Sequence, residues 1–266
     1  MNKTLGIVFG LLFLATLAHA DVFVVDPTVE HAKPNATINI GSVSPGEKVE
    51  LILSTSTGYG ADVEWESATL GAVSPSGGIR TQDDESGDDS LITTIQTTSI
   101  TPAGTYTVPL TLSGDPELLQ DETYTIQFTI ARGLIKGSLS TENVNGNVNL
   151  PSTFSVLLVN DSSSPVSLRV VPALPAVWSL PQTIQLKPHS FVTVPVVVTP
   201  RFAGPKTFDI TLVRAENGVT IATLQATLVA NPTIKDRYSA GLYGFPFFTI
   251  SLVANYVANA FFSFVL

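Results

Sequence analysis

Two tandem antiparallel β-sandwiches, with a hydrophobic segment at each end of the chain, are the fold the sequence predicts. Three observations predict it. Short runs rich in Thr, Val, Ile and Tyr recur through the middle, clusters of turn residues separate them, and no internal segment keeps a 3.6-residue apolar period. The punctuation of the first half also returns in the second.

The first element is a secretory signal peptide over residues 1–20. Lys3 supplies its positive start, Leu5 to Leu17 its apolar core, and Ala18-His19-Ala20 a small-x-small cleavage site. Residues 21–132 are expected to form the first sandwich. Its strands are read at Val49 to Leu53, Leu91 to Thr98, Thr105 to Leu112 and Thr123 to Ile130. In the last of these, Tyr124, Ile126, Phe128 and Ile130 share one face, as a half-buried strand requires. The stretch Ala131 to Gly137 reads as the joint.

Residues 133–231 are expected to form the second sandwich. Strands are read at Phe154 to Val159, Val166 to Val171, Thr183 to Leu186, Phe191 to Val198, Phe208 to Val213 and Val219 to Val229. Asn217-Gly218 predicts a two-residue type I′ hairpin between the last two. About seven short strands per hundred residues is the signature of an immunoglobulin-like sandwich. The repeat is visible in the turns. Trp65 is followed by Thr101-Pro102-Ala103-Gly104 and then a strand. Trp178 is followed by Thr199-Pro200-Arg201-Phe202-Ala203-Gly204 and then a strand.

The second half resembles the NEW3-type modules of secreted prokaryotic surface proteins and glycosidases. The resemblance rests on Val177-Trp178-Ser179, then Gln185-Leu186-Lys187-Pro188-His189, then Thr193-Val194-Pro195-Val196-Val197-Val198-Thr199-Pro200. These follow that family's order of Trp, Leu-x-Pro-Gly, alternating Val and Thr, then Pro. His189 stands where the family has Gly. The resemblance implies a secreted immunoglobulin-like module and no particular activity.

Composition excludes several classes of function. The chain carries 13 basic and 22 acidic residues, a net charge of −9. Such a balance gives no basic surface for nucleic acid, and none is expected as a partner. There is no cysteine, so each domain is held by burial alone, and thiolate metal sites and Cys–His catalysis are impossible. No G-x-S-x-G nucleophile elbow occurs. The chain is therefore expected to be non-enzymatic, without cofactor, catalytic or metal residues. The acidic run Asp83-Asp84-Glu85-Ser86-Gly87-Asp88-Asp89 lacks the ligand spacing of a Ca²⁺ loop and reads as an exposed loop between strands. Trp65 and Trp178 read as inward-facing core rings rather than sugar platforms, and His189 as a surface histidine in a turn.

Two N-x-S/T sequons, at Asn35 and Asn160, are possible glycosylation sites in polar loop contexts. Residues 232–246 read as a juxtamembrane linker, with Tyr238 and Tyr243 suited to a membrane interface. Residues 247–266 are uncharged and, as a helix, would span roughly 30 Å, the thickness of the hydrocarbon core. Within them Ser251, Asn255, Asn259 and Ser263 recur every fourth residue and form a polar stripe, a possible helix-association face. Lys235 and Arg237 lie on the exported side, against the positive-inside preference. Exchange of the tail for a lipid anchor near Ser239-Ala240-Gly241 is the alternative ending.

The function expected is that of a membrane-anchored, exported surface protein with a structural or adhesive role in the cell envelope. Its partners are the membrane, through the tail, and a protein partner or second copy. The alternative is a ligand-binding ectodomain, for example one recognising carbohydrate, or an exported accessory subunit of a membrane complex.

Overall fold

The computed structural model describes residues 20–58, 63–86, 89–233, 257–258 and 260–261. The chain divides into two compact units. The first takes in Met1–Lys136, Leu158–Leu168 and Ile184–Val192, and the second Gly137–Leu157, Arg169–Thr183 and Thr193–Leu266.

The first unit is built on nine strands: β1 (Val22–Asp26), β2 (Glu30–Ala32), β3 (Thr37–Val43), β4 (Lys48–Ser54), β5 (Trp65–Leu70), β6 (Ile79–Ser86), β7 (Ser90–Thr97), β8 (Gly104–Gly114) and β9 (Glu122–Ile130). They form two sheets, ordered β2-β1-β4-β7-β6 and β3-β9-β8-β5. β3 pairs parallel with β9 while β8 pairs antiparallel with it. This is the immunoglobulin arrangement, in which the first edge of the chain is split between the two sheets.

Alternation places the core. On β9, Tyr124, Ile126, Phe128 and Ile130 are buried, as the sequence predicts, and the first three pair with Leu110, Val108 and Tyr106 of β8. Burying each such side chain contributes about 1.5–3 kcal/mol. Trp65 opens β5 and is 1% exposed, so the inward reading of that ring holds. Tyr106 forms a tyrosine corner. Its hydroxyl donates to the Pro102 carbonyl at 2.9 Å, four residues upstream, and pins the turn into β8.

The remaining strands are β10 (Ile135–Leu139), β11 (Asn143–Asn147), β12 (Ser152–Asn160), β13 (Val166–Pro172), β14 (Gln182–Leu186), β15 (Ser190–Val198), β16 (Gly204–Arg214) and β17 (Thr220–Asn231). They form the sheets β10-β12-β15 and β11-β17-β16-β13-β14. Here β11 runs parallel to β17 and β16 antiparallel to it, as β3, β8 and β9 do. The second unit packs Phe154 edge-on against Phe208, with ring centroids 5.5 Å apart. Val156, Val170, Val196, Ile210 and Leu228 are buried with them. Gly146 permits the approach of β11 to β12, since a Cβ there would meet Ser152 Oγ.

Three expectations change. The β16–β17 hairpin is not a two-residue turn. Its loop covers residues 215–219, Gly218 alone takes a positive φ of 70°, and its N–H donates to the Arg214 carbonyl at 3.0 Å. The acidic run begins inside β6 rather than in a loop, and Asp83 Oδ1 accepts the Leu70 N–H at 2.9 Å. The stretch 131–137 contains both the start of β10 at Ile135 and the change of unit between Lys136 and Gly137. Trp178 lies in no strand. Pro172 and Pro175 end β13 and fold the chain into a turn, where the Trp178 N–H donates to the Pro175 carbonyl at 2.8 Å and the ring stays half-buried.

The expected signal peptide lies outside the described residues except for Ala20. That residue is buried and its carbonyl accepts the Tyr124 hydroxyl at 3.0 Å. Of the expected transmembrane segment, Val257, Ala258, Ala260 and Phe261 are described, in helical conformation. Among the described residues no helix is long and apolar enough to cross a membrane. Ser251, Asn255, Asn259 and Ser263 lie outside the described residues.

Candidate functional site

The two sequon asparagines occupy opposite environments. Asn35 is exposed in the turn between β2 and β3, with a φ of 63°. Asn160 ends β12 and is 0% exposed. Its Nδ2 donates to the Ser164 carbonyl at 2.8 Å and to the Lys187 carbonyl at 2.9 Å, while its Oδ1 accepts the Ser162 N–H at 3.0 Å. Both amide hydrogens that glycosylation would need are committed to the backbone. Asn160 holds two loops together. His189, also in a turn, has a φ of 47°, and its Nε2 lies 3.3 Å from Ser163 Oγ.

Catalytic geometry does not emerge from the described side chains. No three of His, Asp and Glu among the described residues converge as a metal site. Tyr124 is the described group whose titration is displaced. Burial raises its phenol above the ordinary value, and the Glu122 and Asp21 carboxylates push in the same direction. That is the behaviour of a tyrosine held in a hydrophobic core.

The described surface feature with chemical character is an apolar end of the second unit. Three loops meet there: residues 148–151 between β11 and β12, 173–181 between β13 and β14, and 199–203 between β15 and β16. Backbone hydrogen bonds lock them to one another. The Asn149 N–H donates to the Pro200 carbonyl at 2.8 Å, and the Thr199 N–H to the Trp178 carbonyl at 2.8 Å. Arg201 Nη1 reaches Asn149 Oδ1 at 3.1 Å. The end of β17 belongs to the same cluster, because the Val148 N–H donates to the Asn231 carbonyl at 2.9 Å.

Large apolar side chains crown this scaffold. Phe202 is 75% exposed, Val177 68%, Leu180 65% and Leu150 50%. The Trp178 ring lies 6.3 Å from that of Phe202, tilted by 44°. Single exposed apolar residues are ordinary; here four stand on three loops that backbone hydrogen bonds hold together. Sequence reasoning missed it because the residues are scattered. One signal was present: the turn Thr199 to Gly204 carries Arg201-Phe202 where its counterpart, Thr101 to Gly104, has nothing. The register fixes the correspondence, since Gly104 pairs with Ile130 and Gly204 with Ala230 near the ends of the last strands.

No protein-family profile matches the chain, and no curated protein matches it. Solved structures to which the chain shows similarity include the D0-D1 domain of intimin, at 9% identity over 73% of this chain and 96% of that one, with a TM-score of 0.29. The Yersinia pseudotuberculosis adhesin InvE is similar at 14% identity over 70% of this chain and 56% of that one, with a TM-score of 0.28. The titin domains z1z2, solved in complex with telethonin, are similar at 11% identity over 81% of this chain and 99% of that one, with a TM-score of 0.25. Identities and TM-scores this low define no family for the chain.

Proposed function

We propose that this protein is exported and held at a membrane by its C-terminal segment, where its immunoglobulin-like modules act as a structural or adhesive element of the cell surface. It performs no chemistry of its own. The observation that carries this reading is the exit of the chain. β17 ends at Asn231, and after residues 232–246 comes the uncharged segment 247–266. A twenty-residue apolar segment is long enough to span a bilayer.

Carbonate extraction of the full chain from the membranes of an expressing cell tests the reading. The protein stays with the membrane pellet, and a variant ending at residue 246 leaves it. Release of the full chain by carbonate would refute the anchor. The rival reading, a carbohydrate-binding ectodomain, draws support from Trp178 alone, since Trp65 is buried and offers no stacking face. A glycan array with the full chain in detergent separates the two.

A further inference from the structure

We propose that the apolar end formed by Leu150, Val177, Trp178, Leu180 and Phe202 is a lipid-contacting foot, seated in the interface of the membrane that holds the chain. The proposal rests on the membrane-anchored reading above and adds a second, independent contact with the bilayer.

Three observations point to a lipid surface as the occupant. The first is position. The chain leaves β17 at this end, because Asn231 is hydrogen-bonded to Val148, the residue that enters the first of the three loops. Residues 232–246 then span at most roughly 50 Å before the uncharged segment begins. The tethered end of the second unit is therefore the end that carries the apolar cluster.

The second is charge. The chain has 22 acidic residues, yet residues 143–152, 173–181 and 199–207 contain none. The charged side chains they carry are Arg201 and Lys206, both exposed. Membrane surfaces bear anionic headgroups and repel carboxylates. A surface that excludes acid and keeps two cations beside aromatic rings suits that environment.

The third is the difference between the two copies of the fold. The β7–β8 turn of the first, Thr101 to Gly104, is tight and closed by the tyrosine corner. The matching turn of the second is longer by Arg201-Phe202, and the added Phe202 points its ring out beside Trp178. Within a rigid hydrogen-bonded frame, an insertion that exposes an aromatic ring loses burial and gains nothing in water. Trp and Phe at the boundary of hydrocarbon and headgroup recover that loss.

The two tryptophans supply the test. The full chain is reconstituted into vesicles of phosphatidylcholine and phosphatidylglycerol whose acyl chains are brominated near the headgroup. Bromine quenches only a ring inserted beside it. The expected result is loss of most of the Trp178 emission with a blue shift of what remains, while Trp178→Phe leaves the unquenched signal of buried Trp65. Phe202→Asp, at an exposed position that does not threaten folding, abolishes most of the quenching. Suppose instead that the chain floats with the vesicles but Trp178 is untouched by bromolipid and open to aqueous iodide, or that Phe202→Asp changes nothing. Then the foot is wrong and the anchor stands. A chain that does not float with the vesicles overturns both.

Discussion

Replacing each tryptophan by alanine separates the core of this protein from its surface. Trp65 is 1% exposed at the start of β5, and its Nε1 lies 3.5 Å from the Asp21 carbonyl. A buried Trp removes about 150–250 Å² from water, which at about 25 cal/mol per Å² corresponds to roughly 4–6 kcal/mol. Partial collapse of the void brings the cost of Trp65→Ala to about 3–5 kcal/mol. Trp178 is half-buried in a turn, with a ring neighbour in Phe202 that is itself exposed. Its removal costs about 1 kcal/mol or less, as expected of a surface position. The assay is urea unfolding of the full chain in detergent, followed by far-ultraviolet circular dichroism. With a slope of about 2 kcal/mol per M, Trp65→Ala lowers the midpoint of its transition by roughly 1.5–2.5 M, and Trp178→Ala by no more than about 0.5 M. Equal shifts, or a larger one at Trp178, would refute the assignment of the two rings.

Other consequences follow from single side chains. Expressed in a host that attaches N-linked glycans, the chain carries sugar at Asn35 and none at Asn160, as peptide mapping will read. Asn160→Ala leaves the buried Ser162 N–H without its acceptor, while the Ser164 and Lys187 carbonyls keep the Ser162 and Ser190 hydroxyls; the expected cost is about 1–3 kcal/mol in the same unfolding assay. Thr93 is 0% exposed and its hydroxyl has no hydrogen-bond partner among the described residues. Thr93→Val, which keeps the shape and removes the buried hydroxyl, raises stability by about 1 kcal/mol; a loss would mean the hydroxyl is satisfied. The phenol of Tyr124 is raised in the folded state, so its contribution is fully present below the ordinary tyrosine value of about 10 and is lost as pH climbs above it. Alkaline unfolding of Tyr124→Phe is accordingly shallower than that of the parent, and an unchanged slope would assign the effect elsewhere.

How much of this was legible depends on what each residue type encodes. β4, β7, β8, β9 and the strands from β12 onward are rich in Val, Ile, Leu and Thr, and their alternation is a local property that pairing only completes. β1, β2, β3, β5, β6, β10 and β11 match no expected strand, and β11 shows a physical reason most plainly. Asn143-Val144-Asn145-Gly146-Asn147 has no strand propensity, and forms one because β17 offers it a parallel edge. Trp178 reads as core because sandwiches of this kind commonly carry an inward-facing Trp. The prolines at 172 and 175 decide otherwise. Asn160 shows the converse error, since a sequon in a polar stretch looks exposed until its amide is seen closing two loops. The apolar end was the least legible feature. Its residues come from three loops, and only the fold puts them on one surface.

The central claim is that the chain is exported, processed at its N-terminus and retained in a membrane by its own C-terminal segment. Intact-mass measurement of the protein from carbonate-washed membranes tests it most directly. The account predicts an unlipidated chain that begins at Asp21 and retains residues 247–266, with glycan, where present, only on Asn35. A chain recovered in the soluble fraction, or one ending near Ser239 with a lipid attached, would contradict it.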